Sequence, residues 1–182
     1  MTKEGPARGA EIDTVLRAYL SASKAVVAVV AIAMLAFMVA VDGLEIAGRS
    51  LFNRSFAWVQ ETAILAAMWV YFFAYGLVAK DEEYIRVDFF VSRLGERAQA
   101  AIAVLARLLT LAFHVTVLWF AFGTYRFLGL FTTPVLGWPE SLFVLPLLIG
   151  AADIAVTELI YLYWQIVGRV PARAPHVLPE AD

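Results

Sequence analysis

The chain is 182 residues long, 62% hydrophobic and only 16% charged, with a formal net charge of −2 and no cysteine. A soluble domain is about 45–50% apolar and about 25% charged, so the excess apolar surface here must be covered by lipid or by partner protein. The length allows one compact domain, the small net charge gives no footprint for nucleic acid, and the missing cysteines exclude disulfide frameworks, thiolate metal sites and cysteine nucleophiles.

Residues 1–24 carry Lys3, Glu4, Arg8, Glu11, Asp13, Arg17 and Lys24. That stretch is too long and polar for a secretory leader. It reads as a retained cytoplasmic tail ahead of a helix that acts as its own insertion signal. A membrane helix needs about 20 mainly apolar residues, and four segments qualify, at about 25–48, 61–79, 98–125 and 140–166. The first is uncharged from Ala25 to Val41 and continues through Asp42 and Glu45; Glu45 and Arg49, four apart, can pair on one helix face. The second is uncharged from Thr62 to Ala79, and its small residues Ala63, Ala66 and Ala67 allow close helix packing. The third contains Arg107 and His114, and the fourth Asp153 and Glu158. Pro139 suits a first helical turn. Pro146 is expected inside helix four, which membrane helices tolerate when neighbours re-satisfy the freed carbonyl. Residues 167–182, with Pro171 and Pro175, read as a flexible cytoplasmic tail.

These runs are continuous, whereas barrel strands alternate apolar and polar positions. The expected fold is all-α: an integral membrane four-helix bundle with short interfacial segments. No internal repeat points to an inverted-repeat transporter core. Lys and Arg placement sets the orientation. The N-terminal tail, the link between helices two and three and the C-terminal tail share one side and hold ten of these residues. The opposite side holds three, Arg49, Arg54 and Arg126, so both termini are expected to be cytoplasmic. Within the inner link, Val87, Phe90, Val91, Leu94 and Ala98 share a helical face. That suits a short amphipathic helix in the headgroup region or a cytoplasmic extension of helix three, since a helical moment does not fix tilt.

Convergent catalytic groups are scarce. The two histidines are His114 and His176; His176 lies in the polar tail, so a bis-histidine haem within one chain fails, and His114 reads as a hydrogen-bonded packing residue. No glycine-rich phosphate loop or HExxH pair is present. Charges inside a membrane are functional candidates by default, which selects Arg107, Asp153 and Glu158. Arg107 falls at a depth similar to both acids and closer to Glu158. A proton or ion relay is one reading, and an interhelical ion pair or a contact to a partner subunit is the favoured one. Glu61 at the start of helix two complements the positive helix end. Asn53 and Ser55 suit turn caps, Trp58 suits an interfacial anchor, and Arg86 with Asp88 suits a solvated face.

Taken together, Arg49, the string Phe52-Asn53-Arg54-Ser55-Phe56-Ala57-Trp58-Val59-Gln60-Glu61, an apolar helix with Trp69 and Gly76, and Ile85-Arg86-Val87-Asp88 form a pattern. It resembles the small membrane subunit of tripartite ATP-independent periplasmic (TRAP) transporters, the DctQ-like family. Trp138 and Pro146 echo the family's Trp-then-Leu-Pro pattern, and the likeness covers about residues 25–165. The chain departs where the family has a histidine and Tyr84 stands instead.

The resemblance implies a non-enzymatic subunit without cofactors, in the bacterial inner membrane. Its implied partners are a large transport subunit (DctM-like) that carries the substrate and sodium sites, a periplasmic binding protein (DctP-like) that delivers an organic acid, and membrane lipids. The small subunit would brace the stationary scaffold while the moving part of the large subunit works as a sodium-driven elevator. Arg49, Asn53, Ser55, Trp58 and Glu61 would then order the outer link and place helix two, and Arg86 and Asp88 would order the inner link. Two other classes remain open: a membrane anchor of a respiratory or other enzyme complex, which a haem spectrum would favour, and a small multidrug transporter acting as a homodimer through one buried acid.

Overall fold

A computed structural model describes residues 5–81 and 93–167. Its elements are α1 (Gly5–Phe52), α2 (Ala57–Asp81), α3 (Glu96–Leu128), a 3-10 turn (Glu140–Phe143) and α4 (Leu145–Ile166). All four helical stretches are long and apolar enough to cross a membrane. The four-helix, all-α expectation therefore holds.

The helix bounds differ from the expected ones in physically informative ways. α1 begins at Gly5 and not near Ala25. Pro6 falls in its first turn, where a missing N–H costs nothing. The polar residues that follow stay helical because they have something to hold: the Trp164 indole N–H donates to Asp13 Oδ1 at 3.2 Å, and the Arg17 guanidinium lies 5.4 Å above the Trp164 ring. Pro146 is not in the interior of a helix. It is in the first turn of α4, so no carbonyl loses a partner there. The inner link with Tyr84, Arg86 and Asp88, most of its amphipathic stretch, and residues 168–182 lie outside the described residues.

Short links make α1 and α2 antiparallel neighbours, and α4 packs against both α2 and α3. α4 is the central element: half of its most apolar eighteen residues are buried, against 6% in α3. In lipid there is little hydrophobic drive for helices to associate, so close approach and hydrogen bonds hold the bundle. Small residues supply the approach. Ala66, Ala151 and Ala155 are buried, and a Cβ on Gly150 would sit 3.2 Å from the Phe72 carbonyl oxygen. Between α1 and α2, Val27, Ala31 and Phe73 form the core, flanked by Val30, Trp69 and Leu77.

Candidate functional site

Three polar clusters tie the bundle together, two at the α1–α2 link end and one at the opposite end. The first is built on the α1–α2 turn. The chain reverses within four residues, with Asn53 at φ 49, a left-handed conformation that asparagine tolerates better than most side chains. The Arg54 amide donates to the Gly48 carbonyl at 3.1 Å. Gly48 is required here, because a Cβ would meet Phe56 Cε2 at 2.6 Å and the Arg54 carbonyl oxygen at 3.2 Å. Glu45 then gathers the turn. One carboxylate oxygen accepts from Arg49 Nε and from Ser55 Oγ, each at 2.7 Å, and the other accepts from the Phe56 amide at 2.7 Å. Arg49 itself is two-thirds exposed while Glu45 is mostly covered. The carboxylate is therefore the fixed centre, and the arginine leans onto it from outside. Trp58 is partly buried, with its ring 6.2 Å from that of Phe56.

The second cluster is made by Glu61, one turn into α2. Its two carboxylate oxygens accept the backbone amides of Val135 and Leu136, each at 2.9 Å. Those amides belong to a small hairpin in which Thr132 bridges Pro139. There the Thr133 amide donates to the Trp138 carbonyl at 2.8 Å, Trp138 N donates to Thr133 Oγ1 at 3.1 Å, and Gly137 takes φ +67. A charged acceptor facing two amides makes strong, directional hydrogen bonds. Glu61 thus pins the α3–α4 connection onto the start of α2, a partnership its position at a helix start gave no hint of.

The third cluster joins α1, α2 and α4. The Lys80 ammonium pairs with Asp153 Oδ2 and donates to Ser23 Oγ, the latter at 2.6 Å. Ser23 Oγ and Tyr19 Oη both donate to Asp153 Oδ1, the tyrosine at 3.1 Å. The Tyr161 hydroxyl donates to the Lys80 carbonyl at 2.9 Å, so both the charge and the backbone of Lys80 are held. One turn and a half along α4, Glu158 Oε2 meets Arg107 Nη1 of α3 at 3.2 Å, and the Arg107 guanidinium stacks over the Tyr161 ring at 4.8 Å.

Of the three charge candidates, Arg107 and Glu158 come together, while Asp153 goes to Lys80. Sequence reasoning missed Lys80 as a site residue because it stands at the charged edge of helix two, where a lysine reads as a flanking cation. His114 packs as a bonded residue: its ring lies 6.0 Å from that of Tyr75, and Nδ1 lies 2.7 Å from the Thr110 carbonyl oxygen. Among the described residues no three His, Asp or Glu side chains are arranged to hold a metal ion.

The arrangement fastens helices and links. Glu45 and Glu61 order backbone at one end, and two ion pairs lock α4 to its neighbours at the other. A family model described as tripartite ATP-independent periplasmic transporters, DctQ component, matches residues 38–168, a stretch that includes all of these carboxylates. A comparison with curated proteins gives no match.

Proposed function

The chain belongs to the DctQ component family of tripartite ATP-independent periplasmic transporters, and from that membership we propose that it braces the scaffold of a large transport subunit in a sodium-coupled, binding-protein-dependent transporter for organic acids. The role is non-enzymatic and the location is the bacterial inner membrane, with both termini on the cytoplasmic side. Arg49, Asn53, Ser55, Trp58 and Glu61 order the outer surface of the brace.

The observation that carries the reading is the engagement of both acids inside the bundle. Asp153 is held by Lys80, and Glu158 by Arg107. A carboxylate that carried a coupling ion would have to exchange partners in each cycle, whereas these two are held by cations from neighbouring helices. A large apolar surface faces outward at the same time: Trp119 is 80% exposed and Leu130 79%. A fastened interior suits a stationary element, and the apolar exterior is surface for lipid and partner to cover.

Co-expression with a large membrane subunit of the same transporter family, followed by affinity capture through a tag on this chain, tests the proposal. A stoichiometric complex that survives detergent extraction is the expected result. A chain that purifies alone with a haem absorbance, or that transports a substrate by itself, overturns it in favour of an enzyme anchor or a self-sufficient carrier.

A further inference from the structure

α2 turns one face away from the rest of the bundle. Ile64, Met68, Tyr71, Tyr75 and Val78 recur at alternating intervals of four and three and so share that face, and all five are exposed. Tyr71 is 69% exposed and Tyr75 39%, and among the described residues no group hydrogen-bonds either hydroxyl. Beside Tyr75 a cleft of 320 Å³ opens between α2 and α3, lined by Leu109, Thr110, Phe113 and His114. His114 Nε2, a buried atom, likewise lacks a hydrogen-bond partner among the described residues.

The depth of the two hydroxyls decides what can cover them. The membrane-spanning stretch of α2 is Ala57–Lys80, 24 residues, or about 36 Å at about 1.5 Å per residue. A hydrocarbon core is about 30 Å thick and so takes up most of that length. Tyr71 lies about 14 Å from the Lys80 end and about 21 Å from the Ala57 end, so it stays inside the core wherever the core falls along the stretch. Helical side chains lean towards the helix N-terminus, which carries both hydroxyls away from the Lys80 end and towards the middle. Acyl chains offer no hydrogen-bonding atom, so a hydroxyl covered by them alone is strongly disfavoured. Charge at that depth is costly too, and residues 1–4, 82–92 and 168–182 each carry two or more charged side chains, so the remaining segments of this chain do not suit the position. Two tyrosines exposed at mid-bilayer mark a contact with protein that brings acceptors.

We propose that this face of α2, with the cleft beside it, receives a helix of the transporter's large membrane subunit whose polar atoms accept hydrogen bonds from Tyr71 and Tyr75. The proposal rests on the family-based reading above: the matching family is one component of a tripartite transporter, and the large subunit is the membrane component that this reading places beside it. A second copy of this chain would bring the same two tyrosines, whose hydroxyls accept as well as donate, and the experiment separates the two.

Tyr71→Phe combined with Tyr75→Phe removes two oxygens and leaves the shape of the face. Since neither hydroxyl is bonded within the described chain, the thermal midpoint of the purified double variant should equal that of wild type. Its affinity for a large membrane subunit of the same transporter family, read by energy transfer between terminally labelled chains in lipid bilayers, should fall about threefold per hydroxyl and about tenfold for both. Unchanged affinity, or a lowered midpoint of the chain by itself, overturns the proposal. The chain has no cysteine, so Met68→Cys carries a benzophenone maleimide at one known place on the face. Irradiation in the same bilayers should give an adduct with the large subunit; adducts with lipid alone, or with a second copy of this chain, overturn the proposal. Wild-type binding is scored alongside: no binding by wild type overturns the family-based reading and the proposal together, while wild-type binding that the double variant keeps in full overturns the proposal alone.

Discussion

Removing one partner of the Lys80–Asp153 pair exposes how the bundle is held. The Lys80 side chain is 2% exposed and that of Asp153 14%, so Asp153→Ala leaves an ammonium without its counter-charge in the protein interior. Breaking a buried pair from one side costs about 3–5 kcal/mol, because the remaining charge is uncompensated, whereas replacing both partners by apolar groups is often nearly neutral. Lys80→Met and Asp153→Ala should each destabilise by that amount, and the double variant by much less than the sum. A helix bundle of this size loses about 2–4 °C per kcal/mol, so each single variant should lower the thermal midpoint by roughly 10 °C. The assay is a melting series on wild type, both singles and the double in lipid nanodiscs, read as a double-mutant cycle. Singles that melt within a degree or two of wild type, or a double variant that is simply additive, would refute the reasoning.

Gly48→Ala should open the α1–α2 turn, since the added methyl must displace the Phe56 ring or the Arg54 carbonyl; overpacking of this kind costs about 1–3 kcal/mol, seen as a lower melting midpoint. Glu61→Ala removes both acceptors of the Val135 and Leu136 amides, so hydrogen exchange at those two amides should accelerate while the α4 interior stays protected. Trp58→Ala should weaken capture of the large subunit without altering substrate preference, measured by co-purification and competition uptake; unchanged capture would count against a role in assembly. Arg107→Ala should leave ion coupling intact, because Arg107 serves a helix contact with Glu158; assembled transporter that had lost coupling would instead support a relay.

The sequence made the spans legible because lipid demands long, uninterrupted apolar runs, and four such runs are plain. The Glu45–Arg49 contact was legible from spacing alone, and the Arg107–Glu158 pair from depth, since both follow from helix rise and topology. Three features were not. The helical start at Gly5 was hidden because residues 5–24 are polar enough to pass as a tail, and their contacts with Trp164 and Asp153 of a distant helix leave no local trace in the sequence. Lys80 was hidden because its side chain turns inward from a position where lysines usually face water. The acceptors on Glu61 were hidden because hairpin amides 74 residues away leave no local trace in the sequence.

The central claim is that this chain is an obligatory brace and that transport runs through a partner. The direct measurement is substrate uptake into proteoliposomes under an imposed sodium gradient, with the large subunit and the binding protein present and this chain either included or omitted. The account predicts uptake only when all three proteins and the gradient are present, and none from this chain alone. Undiminished uptake without it, or uptake by it alone, would contradict the account.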